Sequence, residues 1–306
     1  MAGQKRYLGR FGGQQCHMPI GPNPPALFTI LLWGTTYIAT KALLRHFGAL
    51  EILLTRFVIG YLTLLMMRPG RVRLARPKQE WLFVFAGLSG ITLYYLLENL
   101  ALTQTTASNV GIIVTISPFF MALLTVVFLD AKFPNRWFYI GFVVAMSGVI
   151  LVSDHSEVAM AGHWLRDALA VLAALVWAVY SLLTAKIGTL DVNLIQATRH
   201  TFFYGVLFML PLTWLFGFKL DWHELVQPVN LSNFLFLGIG ACALCFVTWS
   251  FAVKRLGTVR TSVYMYLVPV ITLAFSVWLL HEPLTPLIML GAALTLVGLW
   301  LFGKTA

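Results

Sequence analysis

Charge is what this chain has least of. Only 10% of its 306 residues are Asp, Glu, Lys or Arg, against about 25% in soluble domains. Hydrophobic residues make up 59% and mean hydropathy is +0.83, so composition excludes an ordinary soluble fold. Cysteine is scarce as well: Cys16, Cys242 and Cys245 supply no disulfide framework. Cys242 and Cys245 form a C-x-x-C, but its setting, GIGACALCFV, holds no His or acid, which favours small-residue helix packing over redox or metal chemistry. No H-E-x-x-H, paired-histidine site or G-x-x-x-x-G-K-[ST] loop occurs. The sequence therefore offers no catalytic residues, metal site or cofactor, and no sign of intrinsic ATP-driven pumping. The first 25 residues lack the apolar core of a signal peptide and read as a flexible basic tail.

Long apolar runs fill the rest. A helix of about 20 mainly apolar residues crosses about 30 Å of hydrocarbon. Ten such stretches can be drawn: residues 26–45, 50–67, 80–102, 107–129, 135–153, 165–186, 192–217, 232–253, 259–280 and 284–302. The expected fold class is an all-α polytopic membrane protein. Fifteen of the 21 Lys and Arg residues fall in tails and connectors on one side if the N-terminus is inside, the densest cluster being RPGRVRLARPKQE. That bias predicts both termini in the cytoplasm, in a bacterial inner membrane. It also accounts for the net charge of +10 without a nucleic-acid surface.

The second half echoes the first. Thr55-Arg56 recurs as Thr198-Arg199 after 143 residues, Pro118 as Pro269 after 151, and Gly141 and Gly148 as Gly291 and Gly298 after 150. Five spans per half is an odd number, so the second copy enters the membrane from the opposite side, which is the inverted-repeat plan of many carriers. The expected organisation is a cytoplasmic tail over 1–25, a first five-helix repeat over 26–153 and an extracytoplasmic connector over 154–164. A second repeat follows over 165–302, with a cytoplasmic tail over 303–306.

Polar residues inside spans are the candidates for function. An arginine in hydrocarbon costs roughly 2.5–3.5 kcal/mol on insertion scales. Arg56 and Arg199 therefore read either as braces that reach a helix end or as charges for coupling or solute handling. Glu98, in YYLLENLAL, shares a helix face with Tyr94 and Tyr95. Solute contact or proton coupling is one reading; pairing within the bundle or a wet rim position is the other. Its repeat counterpart is Trp249. Asn109 opens the fourth span opposite Arg260 in the repeat. Trp33 with Tyr37, Trp177 with Tyr180, and Tyr264 are rings that can line a cavity or pack against helix and lipid. Pro118 and Pro269 each disturb a helix, as a gate or as a fixed kink.

WGTTYIATKALL, TRFVIGY, NLALTQTTASNVGIIVTISPFFMALLTVVFLD and FAVKRLGTVRTSVYMYLVPVITLAFSVWLLHEPLTP, in this order, resemble the drug/metabolite transporter superfamily, specifically bacterial EamA-type transporters. The resemblance covers nearly the whole chain after residue 25. It implies a ten-helix carrier with a central cavity that exports amino acids, other metabolites or toxic compounds. His281-Glu282-Pro283 fits the family's Glu after the fourth span of a half, while Asp130-Ala131-Lys132 departs from it. The partners expected are a small organic solute and membrane lipid. Proton coupling is chemically allowed, a channel is the alternative to alternating access, and one chain suffices to enclose the path although a dimer is compatible.

Overall fold

The structure, a computed structural model, describes residues 23–104, 110–111, 113–129, 136–153, 163–280 and 285–303. All regular elements among these residues are helical. The spans are α1 (Pro24–Leu43), α2 (Ala49–Met67), α3 (Pro77–Gln104), α4 (Ser117–Leu129), α5 (Arg136–Ser153), α6 (His163–Gly188), α7 (Leu194–Phe216), α8 (Pro228–Leu256), α9 (Val268–Leu280) and α10 (Pro286–Gly303). Five of them, α1, α2, α3, α6 and α8, are long and apolar enough by themselves to cross a membrane. Together they form a polytopic all-α bundle of two inverted five-helix repeats.

Helix ends follow local chemistry. The Asn23 side chain accepts the Ala26 amide at 3.2 Å, and Pro24 and Pro25 occupy positions whose amides would go unbonded in any helix, so α1 starts two residues before the expected boundary. Asn193 caps α7 through the Ile195 amide at 3.0 Å, and α7 ends at Gly217, whose φ of 69° suits glycine alone among common residues. Outward surfaces of the bundle carry large apolar side chains such as Leu31, Met66, Leu215 and Trp278, while Trp214 is 88% exposed. Hydrocarbon, not water, is the solvent that suits such a surface.

The repeat is visible in backbone irregularities that no hydropathy pattern announced. α3 contains a π-helical segment, Gly87–Leu93, and α8 contains one at Phe236–Leu244. Each sits where α3 or α8 crosses the second helix of the other half. Gly60 of α2 lies against Cys242 and Gly238 of α8, and Gly205 of α7 lies against Ile91 of α3, beside Gly87. The Thr92 hydroxyl donates to Gly205 O at 3.0 Å across the second crossing. Pro118 and Pro269 are each the second residue of an α-helix that follows a 3₁₀ turn, at Val114–Ile116 and Val263–Leu267. Missing proline amides are tolerated at such helix starts. The pairs Gly141/Gly148 and Gly291/Gly298 let α5 and α10 touch backbone to backbone: Gly148 faces Gly291 and Thr295, and Gly298 faces Gly141 and Ala145. Small residues are the means by which membrane helices approach so closely.

Candidate functional site

A cavity lies where the halves meet. Its wall is formed by Trp33, Thr36 and Tyr37 of α1, Tyr94, Tyr95 and Glu98 of α3, and Trp177 of α6. Gly111, Val114 and Thr115 before α4, and Met265 and Val268 at the start of α9, complete it. The spacings i, i+3 and i+4 bring each helix's contributors onto one face. The centre of a water molecule can reach only about 20 Å³ between these residues. That is room for about one or two waters. As it stands the cavity is contracted, too narrow for an organic solute.

Aromatic edges and faces fill the centre. Trp33 and Trp177 meet edge-on with centroids 5.2 Å apart, and Tyr94 lies 4.8 Å from Trp177. Trp33 Nε1 donates to Ala241 O at 3.2 Å, and Ala241 belongs to the π segment of α8, where a widened turn leaves carbonyls free for such bonds. Trp177 Nε1 is buried and has no partner among the described residues, so the cavity wall holds an unused donor. Glu98 is 2% exposed and is the one charged residue in that wall among the described residues. The Tyr94 hydroxyl neighbours both the Glu98 carboxylate and the Tyr37 hydroxyl, so the three polar groups follow one another in the order Tyr37, Tyr94, Glu98.

The two intramembrane arginines part ways. Arg199 donates to the backbone carbonyls of Arg68, at 2.5 Å, and Gly70, just past the end of α2. It stands at a helix end, away from the cavity, because the α2–α3 connector folds back over the first turns of α7. Nearby, Glu80 accepts from the Tyr204 hydroxyl at 2.5 Å and lies 2.6 Å from His200 Nε2. Arg56 is fully buried; its Nε donates to Cys242 Sγ at 3.2 Å, and its guanidinium lies 4.5 Å from the centroid of the Tyr95 ring. Cys242 of the C-x-x-C is thus a packing and acceptor residue.

Of the other candidates, Trp33, Tyr37, Tyr94, Tyr95, Glu98 and Trp177 converge on the cavity. Trp249 is buried behind it, 5.1 Å from Trp33. Tyr180 belongs to a second, smaller pocket with Thr184, Thr198, Thr201 and Ser250. Tyr264 is buried next to the cavity residue Met265. Pro118 and Pro269 lie at the starts of α4 and α9. Asn109, Asp130–Lys132 and residues 281–283 lie outside the described residues. Sequence reasoning passed over Thr36, Thr115 and Met265. Thr36 was recoverable from its i+3 spacing to Trp33, whereas nothing polar or periodic marks Met265.

Comparison with known proteins agrees with this architecture. The model of the EamA-like transporter family matches residues 25–154 and again 164–303. An uncharacterized transporter of Archaeoglobus fulgidus is 28% identical over 277 residues, covering 89% of this chain and 94% of the relative. A probable terminal-alkyne amino-acid exporter of Streptantibioticus cattleyicolor is 28% identical, covering 91% and 92%, and the pseudopaline exporter of Pseudomonas aeruginosa is 27% identical, covering 78% and 82%. One solved structure superposes with a TM-score of 0.68 at 17% identity over 90% of this chain and 94% of its own, which shows the fold. With two inverted halves around one central cavity and a family match that spans both, the chain belongs to the EamA-like transporter family and is a secondary transporter of small organic solutes, not an enzyme.

Proposed function

We propose that the protein exports an amphipathic solute that carries an amine, an amino acid or a close relative, in exchange for protons, with both termini in the cytoplasm. The observation that carries this reading is the cavity wall: a single carboxylate, Glu98, among five aromatic side chains, Trp33, Tyr37, Tyr94, Tyr95 and Trp177. A carboxylate pairs with an ammonium group, and aromatic faces attract cations and cover apolar solute surface. Two relatives, a probable terminal-alkyne amino-acid exporter and a pseudopaline exporter, agree with an exported organic solute. The orientation rests on the asymmetry of Lys and Arg between connectors, and the outward direction on the exporters among the relatives.

Exchange with protons follows if the same carboxylate takes either a proton or an ammonium. The neighbouring hydroxyls of Tyr94 and Tyr37 offer the proton polar groups along the cavity wall next to Glu98. The division into repeats at 26–153 and 165–302 then gives each half one wall of the site, which rocking exposes to either side. The experiment is counterflow in proteoliposomes with a labelled panel of amino acids and amines, with and without a pH gradient. Saturable exchange driven by the gradient is expected. Flux that fails to saturate would replace alternating access by a pore, and exchange of neutral or anionic solutes only would remove the amine from the reading.

A further inference from the structure

Arg56 carries two buried donors that no described residue uses. Its Nε reaches Cys242 Sγ, but neither Nη1 nor Nη2 has a hydrogen-bond partner among the described residues, although the side chain is fully buried. No ion pair within 4 Å joins it to Glu98. Leaving such donors unpaired in a low-dielectric interior is costly, so a buried orphan asks for a ligand. The repeat rules out a purely architectural explanation: Arg199 holds the equivalent place in α7 and gives its two Nη atoms to the Arg68 and Gly70 carbonyls. The same position is satisfied in one half and left open in the other.

Tyr95 connects that guanidinium to the cavity wall. The Tyr95 ring borders the cavity and also lies against Arg56, 4.5 Å from the guanidinium carbon to the ring centroid. A guanidinium with two free, coplanar Nη groups matches a carboxylate, which it binds through two parallel hydrogen bonds. We infer that Arg56 is the carboxylate-binding subsite of the solute cavity, covered by Tyr95 in this contracted state and uncovered when that ring swings aside. Glu98 holds the solute's ammonium and Arg56 its carboxylate, so the transported class is the zwitterionic α-amino acid rather than a simple amine. This rests on the amine-binding role of Glu98 proposed above.

Matched pairs of probes test it: tryptophan with tryptamine, phenylalanine with phenethylamine, and leucine with isopentylamine. Binding and counterflow are measured on purified wild-type protein and on Arg56→Met (R56M) and Arg56→Lys (R56K). The wild type should prefer the amino acid of a pair by about 10- to 100-fold, the range for hydrogen bonds to a charged group. R56M should lose that preference while keeping its amine binding, and R56K should recover part of it. Thermal unfolding in detergent gives an independent reading, because a brace would lose stability in R56M whereas an unpaired buried charge would not. A preference unchanged in R56M, or a wild type indifferent to the carboxylate while still binding amines, overturns the Arg56 subsite and leaves the Glu98 reading standing. A wild type that binds no member of any pair overturns both.

Discussion

Adding one methyl group at Gly87 tests the helix crossing on which the inverted halves are built. A Cβ at this position would lie 2.7 Å from the Gly205 amide nitrogen, 2.7 Å from Tyr204 Cβ and 2.8 Å from Thr201 O. Two of these are backbone atoms of α7, which no rotamer change can move. Ordinary contact begins at 3.4 Å, so α3 and α7 must part by about 0.7 Å. Overpacking of this kind costs about 1–3 kcal/mol, roughly a 5- to 150-fold loss in the folding equilibrium. The same displacement lengthens the Thr92–Gly205 hydrogen bond that spans the crossing, now 3.0 Å. Gly240, in the π segment of α8, is the control: its added Cβ would meet the Phe236 ring at 3.7 Å and nothing nearer. Thermal unfolding of the purified variants in detergent, followed by counterflow, should show Gly87→Ala (G87A) destabilised and slowed and Gly240→Ala (G240A) close to wild type. Equal melting and equal transport in the two variants would refute the close crossing as the reason for glycine at 87.

Three further outcomes follow from the site. Glu98→Gln (E98Q) should abolish accumulation driven by a pH gradient, because the amide takes up no proton at that position; wild-type accumulation in E98Q would return Glu98 to a structural role. Trp177→Phe (W177F) removes the unpartnered indole N–H from the cavity wall and should weaken solute binding by roughly 2- to 12-fold, the value of one neutral hydrogen bond; unchanged affinity would show that the solute leaves this donor alone. Arg199→Gln (R199Q) loses the charge-assisted bonds to the Arg68 and Gly70 carbonyls and should cost about 1.5–3 kcal/mol of stability without altering which solutes are carried; a changed solute profile would place Arg199 on the path.

The architecture was legible because membrane insertion constrains sequence so strongly. Twenty-residue apolar runs, basic connectors and the recurring Thr-Arg, Pro and Gly pairs each report directly on spans and symmetry. The site was legible where a residue type is out of place in hydrocarbon: Glu98 declared itself by charge, and Trp33 with Trp177 by repetition. Arg199 shows the limit, since a buried carbonyl and a solute carboxylate ask for the same side chain, and only the position of the α2–α3 connector tells them apart. The π segments were silent for a different reason. GLSGITL and FLGIGACAL have the composition of ordinary membrane helix, and what widens their turns is a close approach by a helix more than 100 residues away in sequence.

Inverted halves that matched in every side chain would leave the two access states equal in energy, because each state is the other seen with the halves exchanged. Here the backbone is matched and the polar chemistry is not. At the end of the bundle where α1 finishes, Lys41 Nζ donates to Leu102 O at 2.7 Å and Asn99 Nδ2 to Ala49 O at 2.9 Å, tying α3 to both α1 and α2. In the second half Ser250 occupies the place of Asn99, 151 residues later, and lines a small pocket with Tyr180 and Thr184. Bonds of this kind are worth about 0.5–3 kcal/mol each, according to charge, so an unmatched one is enough to make the two access states unequal in energy. Glycine, proline and the Lys41/Lys186 pair recur between the halves, whereas Glu98 and Asn99 are replaced by Trp249 and Ser250 across the repeat, so the departure from symmetry is concentrated in two adjacent polar residues of α3.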